Sequence, residues 1–330
     1  MWSQPVKISD TPQKVEGDEG LPKIAVGQDG RIYAVWSVPN EKGDKMRANT
    51  RFSSGTPDGV FAPAVTLNPV KNTARFPALE VSPDGTVFVG WIDRRVDSPA
   101  PRRIYLTRIK SDGSTIGSDA NVGGPSCECC RMTMAFADAG KTIHIAYRQN
   151  MANVRDMVVQ TSHDGGVTFA EPVRISDDGW YSKGCPHSGP IIATDARGNL
   201  HAVWWTPTSD PAQAGIYYTV STDGGRTFAP RLLIDLEKGT GVIHPYLGIG
   251  ERGDVYIVWS NFTGADASTQ IFFRHLSTDG RTLGPVQQVS NAEGSASRPN
   301  LALSQDKLYV AWTETKENQS WVMLKTASLR

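Results

Sequence analysis

The chain has 330 residues, with 34 Lys and Arg against 34 Asp and Glu, so its formal net charge is zero. No block of like charge appears, which excludes a nucleic-acid stripe or a polybasic membrane patch and leaves a small molecule as the expected partner. No apolar run reaches the ~18 residues of a membrane span, and "MWSQPVKISDTP" at the N-terminus lacks the charged and apolar regions of a leader; the expectation is no membrane insertion, and either a cytosolic chain or a periplasmic or secreted one whose leader is already gone.

Taken in chain order, the predicted elements repeat. Six segments, "LPKIAVGQDGRIYAVW", "FPALEVSPDGTVFVGW", "CRMTMAFADAGKTIHIAY", "GPIIATDARGNLHAVW", "HPYLGIGERGDVYIVW" and "RPNLALSQDKLYVAW", follow one template of apolar strand, turn, and alternating strand closing on an aromatic. The closing residues are Trp36, Trp91, Tyr147, Trp204, Trp259 and Trp312, spaced 55, 56, 57, 55 and 53 apart. A unit of that length, rich in Val, Ile, Tyr and Trp at period 2 and punctuated by turns, is a small antiparallel sheet rather than a solenoid coil. Six such sheets predict an all-β chain, a six-bladed β-propeller with residues 1–330 as a single domain.

Later in several units comes a second recurring element. Ser162-His163-Asp164-Gly165-Gly166-Val167-Thr168-Phe169 and Ser221-Thr222-Asp223-Gly224-Gly225-Arg226-Thr227-Phe228 match the Asp-box S-x-D-G-G-x-T-F, and Ser277-Thr278-Asp279-Gly280-Arg281-Thr282-Leu283 is a degenerate copy. On these motifs the chain resembles the sialidase-like (BNR repeat) propeller superfamily over essentially its whole length. Physically the box is a hairpin turn: Asp accepts from the amides ahead of it and the glycines supply positive φ. One carboxylate per turn is a poor oxygen cage, so calcium is not expected there. After Trp312 only one further strand, "SWVMLKTAS", is evident, while "WSQPVKIS" is similar to the outer strands "AEPVRIS" and "GPVQQVS". Residues 2 to 9 are therefore expected to complete the last blade and close the ring.

In propellers the loop leading into each innermost strand lines the mouth of the central channel. That slot holds Asp18-Glu19-Gly20, Thr73-Ala74-Arg75, residues 127–131, Cys185-Pro186-His187-Ser188, Ile243-His244 and Ser297-Arg298 in the six units. All four cysteines occupy it, three of them within "GGPSCECCR". Three readings stay open: a thiolate metal site of Cys127, Cys129, Cys130 and Cys185 with His187; a pair of disulfides; or four buried thiols acting as small hydrophobes. Copper suits the C-x-C-C spacing better than zinc, the alternative, because Cu(I) is soft and accepts two or three ligands. His244 is the next candidate after His187. His144 and His201 fall inside alternating strands, His163 in an Asp-box turn and His275 on an outer strand, so all four read as structural.

The superfamily resemblance can be carried further, residue by residue. "ARFPALEV" resembles the F-R-I-P motif of sialidases and places Arg75 on its arginine; "WIDRR" places Arg94 on the next basic position, and Asp97 is a loose match for the acid/base. The likeness stops short of the nucleophile: Tyr246 lies inside a strand and Glu237 has no companion arginine, so the Tyr/Glu pair of retaining sialidases is missing. Cys127-Glu128-Cys129-Cys130 and Gly184-Cys185-Pro186 resemble a branch of bacterial sialidase-like proteins with CxCC and GCP loops.

The function expected is a metal-dependent, copper-based redox enzyme acting on a small molecule, with thiolate ligands at the channel mouth. Arg131, Arg75, Arg148 and Arg298 would hold an anionic or carbonyl substrate, with His244 beside them and Glu128 as base or bridge. The alternatives are an exo-sialidase-like glycoside hydrolase using Arg75, Arg94 and Asp97, and a copper-binding or storage protein without turnover.

Overall fold

The computed structural model describes residues 5–9, 21–40, 47–95, 102–184, 186–239, 243–263, 268–278, 282–304, 306–317 and 319–329. Six antiparallel sheets follow one another along the chain. The first is β1 (Lys23–Val26), β2 (Ile32–Pro39), β3 (Ala48–Gly55) and β4 (Val65–Thr66). The second is β5 (Ala74–Val81), β6 (Val87–Asp93), β7 (Arg103–Ile109) and β8 (Ala120–Gly123), and the third is β9 (Thr133–Ala137), β10 (Thr142–Arg148), β11 (Met157–Ser162) and β12 (Val173–Arg174). The fourth contains β13 (Ile191–Thr194), β14 (Leu200–Thr206), β15 (Gly215–Ser221) and β16 (Leu232–Leu236). Next come β17 (Tyr246–Ile249), β18 (Val255–Phe262), β19 (Thr269–Leu276) and β20 (Gln287–Gln288), then β21 (Ser295–Ser304), β22 (Lys307–Lys316) and β23 (Gln319–Ser328). Within each sheet, spatial order follows sequence order, so every connection is a hairpin. This is the sheet set of a six-bladed β-propeller.

The spacing of the closing aromatics has a clear physical basis. Trp36, Trp91, Tyr147, Trp204, Trp259 and Trp312 all lie on the second strand of their sheets, and all are buried. A buried indole needs a hydrogen-bond acceptor. Trp91 Nε1 donates to Asp93 at 2.8 Å, Trp204 to Asp178 at 2.9 Å, Trp259 to Asp235 at 3.0 Å and Trp312 to Glu314 at 3.0 Å; Tyr147 donates its hydroxyl to Gln160 at 2.7 Å. The second to sixth units thus each repeat a donor together with an acceptor.

The Asp-box turns form as the motif implies. Asp164 accepts from the amides of Val167 and Thr168 and the Thr168 hydroxyl, and Asp223 does the same with Arg226 and Thr227. Those donors hold both carboxyls well below the usual carboxylate range. Gly165 and Gly166 sit at φ 69° and 82°, where a side chain would be strained. Of the degenerate third copy, positions 279–281 lie outside the described residues.

The chain divides into two compact units, one of residues 1–152 with 160–172 and one of residues 153–159 with 173–330. In the first, Tyr33, Val35, Phe52, Leu79, Val87, Val89, Trp91 and Ile109 form a core between the first two sheets. In the second, Val203, Trp205, Ile216, Ile257 and Trp259 pack the fourth sheet on the fifth, and Val258, Ile271, Leu301, Val310 and Trp312 pack the fifth on the sixth.

The strand expected to close the ring, residues 2–9, lies only in part within the described residues. Residues 5–9 carry no strand, and the sixth sheet has three strands. Ile8 packs beside Ala34, Trp36 and Ala64 of the first unit, and Val6 stays exposed. Positions 1–4 lie outside the described residues, and among those described no helix is long and apolar enough to cross a membrane.

Candidate functional site

The slot singled out by the repeat is a β-bulge. On the second sheet Arg75 pairs with Ile92 and Ala78 with Gly90, so Phe76 and Pro77 bulge out opposite Trp91. On the sixth sheet Ser297 pairs with Thr313 and Asn300 with Ala311, leaving Arg298 and Pro299 opposite Trp312. Phe76 and Arg298 take φ 51° and 54°, and His187 in the corresponding slot takes 50°. A bulge re-aims a side chain out of the strand alternation, at a cost in backbone strain.

The cysteine segment is an enlarged form of this bulge. Ser126 bridges to Gln149 and Thr133 pairs with Ala146, so residues 127–132 stand opposite Tyr147 and Arg148. Three main-chain bonds pin the loop: Ser126 N to the Arg102 carbonyl at 2.9 Å, Cys127 N to the Arg148 carbonyl at 2.8 Å, and Asn150 N to the Pro125 carbonyl at 3.0 Å. Gly124 makes the approach possible, since a Cβ there would lie 2.7 Å from the Arg102 carbonyl oxygen.

Inside the loop the side chains of Cys127, Cys129 and Cys130 converge. Their sulfurs all lie within 4.8 Å of one another, and each residue is at most 2% exposed. Cys127 Sγ is 3.2 Å from Cys130 Sγ and 3.5 Å from Cys129 Sγ. Hydrogen bonds within the trio, then burial, push the Cys129 thiol far up; burial pushes up Cys130, against the opposing pull of Arg148. Cys185, expected as the fourth sulfur, lies outside the described residues.

Arginines surround the same loop. Arg102 is 5% exposed, and its Nε donates to Glu128 Oε2 at 3.1 Å. Its two terminal nitrogens, NH1 and NH2, are buried without a hydrogen-bond partner among the described residues. Burial lowers its pKa, Glu128 opposes that shift, and the positive charges of Arg75 and Arg94 reinforce it. Arg75, itself buried, stacks over the Phe76 ring at 4.2 Å and reaches the Glu128 carbonyl at 3.5 Å. Arg148 is fully buried. Arg95, by contrast, is committed to structure: it pairs with Asp93 at 2.8 Å and Asp119 at 2.6 Å and lies over Tyr105.

Of the expected site residues, the first unit therefore gathers Cys127, Cys129, Cys130, Glu128, Arg75 and Arg148, with Arg131 adjoining in the chain. The second unit holds His187, His244 and Arg298. There, His244 Nε2 lies 3.0 Å from the His187 carbonyl oxygen, so the two histidines meet through main chain rather than as paired rings. Asp97 lies outside the described residues, as does the first slot, 18–20. Glu237 accepts from the Trp205 indole at 3.1 Å, a packing role, and Tyr246 pairs with Val258 inside β17. His144 and His201 are buried against the Thr161 and Tyr218 hydroxyls, and His275 bonds Asp254 at 3.1 Å.

Arg102 is the residue the sequence reading missed. It lies outside the repeated slot, just ahead of β7, where it adjoins Arg103 in "PRRIYLTRI". The available signal was alternation: with Ile104 facing the core, Arg102 must face inward and Arg103 outward, and they do.

No protein-family model matches this chain, and no curated protein matches it. Solved structures do. A polysaccharide lyase PL25 ulvan lyase superposes with TM-score 0.64 at 12% identity, covering 97% of this chain and 83% of the other. The α-L-arabinofuranosidase Arb93A of Fusarium graminearum gives TM-score 0.60 at 17% identity, over 98% and 97%. The intramolecular trans-sialidase of Ruminococcus gnavus gives 0.59 at 11% identity, over 96% of each chain. At these identities the likeness establishes the fold, a sialidase-type six-bladed propeller.

Proposed function

We propose that the chain is a carbohydrate-active enzyme that binds an acidic sugar at the arginines around the cysteine loop and cleaves its glycosidic bond. The observation that carries this reading is Arg102: a buried guanidinium with two unpartnered terminal nitrogens, crowded by Arg75 and Arg94. A buried cation with unmet donors is costly, and a carboxylate or sulfate placed against it offsets that cost with bidentate bonds. Ligands in the neighbouring structures fit the same chemistry: the trans-sialidase holds oseltamivir carboxylate, and an ulvan lyase holds a glucuronate-rhamnose sulfate unit.

Glu128, joined to Arg102 and partly exposed, is the candidate proton carrier. As a hydrolase the protein needs a second carboxylate, for which Asp97 is the nominee from sequence; as a lyase it needs one base and cations on the uronate carboxylate. Incubation with an aryl sialoside, an aryl glucuronide and a uronate-containing polysaccharide separates the two, since hydrolysis releases the aryl alcohol or a saturated reducing end and elimination releases a conjugated, ultraviolet-absorbing product. Loss of either activity in Arg75→Ala and Glu128→Gln supports the reading; no cleavage and no binding of any acidic sugar refutes it.

Copper-dependent redox chemistry is the second reading, favoured by the three clustered thiols. Turnover that disappears with a copper chelator and returns with copper would put it first.

A further inference from the structure

We infer that Cys127, Cys129 and Cys130 form a preorganised three-sulfur site for a single Cu(I) ion. The inference rests on the thiol trio, independently of the acidic-sugar reading. Three thiolates bound about 2.3 Å from one ion stand roughly 3.8–4.0 Å apart, so sulfurs already at 3.2 and 3.5 Å need to part by only about half an ångström. Soft thiolates select soft ions. Three sulfurs already meet the low coordination number that Cu(I) accepts.

The surroundings suit the bound state. On binding, three S–H bonds break, three protons leave to solvent and three Cu–S bonds form, with no change in oxidation state. The product carries two negative charges in a nearly dry pocket. Arg148 beside Cys130, with Arg75 and Arg102 reaching Glu128 of the same loop, supplies the opposing charge without a ligand rearrangement. The loop is held by main-chain bonds in which no sulfur takes part, so its shape does not depend on the ion.

The test is an anaerobic titration of the reduced full chain with Cu(I) buffered by bathocuproine disulfonate. One strongly held ion per chain is expected, released protons should approach three per ion in an unbuffered titration, and the ion should shield three cysteines from iodoacetamide. Serine at 127, 129 or 130 should weaken retention by about a hundredfold or more, beyond the roughly 10–100-fold typical of losing an outer-shell partner. Should a serine variant fail to fold, the alkylation count on the wild-type chain decides alone: no protection overturns the site. It is also overturned by equal Cu(I) uptake in the triple serine variant, by uptake of Zn(II) with no Cu(I), or by a Cys127–Cys130 disulfide that resists reduction by millimolar glutathione.

Discussion

Arg102→Met separates charge from packing at the proposed anion site. In the folded chain the guanidinium makes an ion pair with Glu128, whose side chain is 41% exposed, and leaves NH1 and NH2 buried without partners among the described residues. A charge-assisted bond contributes about 1.5–3 kcal/mol when dry, but screening at a half-exposed partner brings it toward the ~0–1 kcal/mol of a surface pair. Each buried donor left without a partner costs about 1–3 kcal/mol, so the desolvation side wins. Methionine keeps the apolar stem, and the variant should be as stable as the parent or up to about 2 kcal/mol more so. Its affinity for glucuronate, measured by calorimetry, should meanwhile fall by about tenfold or more, as when one partner of a desolvated charge pair is removed. Urea unfolding supplies the stability. A loss above about 2 kcal/mol with glucuronate binding unchanged would make Arg102 a structural staple and refute the reasoning.

His144 is fully buried, and burial lowers its pKa to about 4 from 6.5. The unfolded chain therefore takes the proton first: stability from this residue is intact above pH 6.5 and declines toward pH 4, by up to roughly 3 kcal/mol. Unfolding curves at pH 7 and 4.5 should show a smaller decline in His144→Gln; an equal decline places the acid sensitivity elsewhere. Asp223→Ala removes the acceptor of the Arg226 and Thr227 amides and the Thr227 hydroxyl, and should lower the melting temperature. Calcium or a chelator should leave the wild-type melt where it is; a calcium-dependent rise would contradict the turn-only role. Gly124→Ala sets a methyl 2.7 Å from the Arg102 carbonyl oxygen and should destabilise by about 1–3 kcal/mol. It should also speed alkylation of the buried thiols, and unchanged thiol reactivity would show that the loop absorbs the methyl without moving.

The blades were legible because their signal is local and repeated. A buried Trp or Tyr on each second strand recurs at a spacing that no other demand blurs. The cysteine loop was legible for the same reason: its slot could be found by counting, and the thiols do converge. For Arg102, alternation from Ile104 signals only that it faces inward; its unmet hydrogen-bonding capacity is a property of three-dimensional surroundings that no spacing encodes.

The cysteine loop hangs from the carbonyl oxygens of Arg102 and Arg148, while the guanidiniums of the same two residues supply charge beside it. Every residue type offers that carbonyl, so substitution at 102 or 148 can rewrite the chemistry without unhooking the loop. Shape and reactivity at this end of the unit are therefore separately heritable. A lineage can exchange the arginines for neutral or acidic side chains, and move from one ligand class to another, by single mutations that leave the backbone cradle intact.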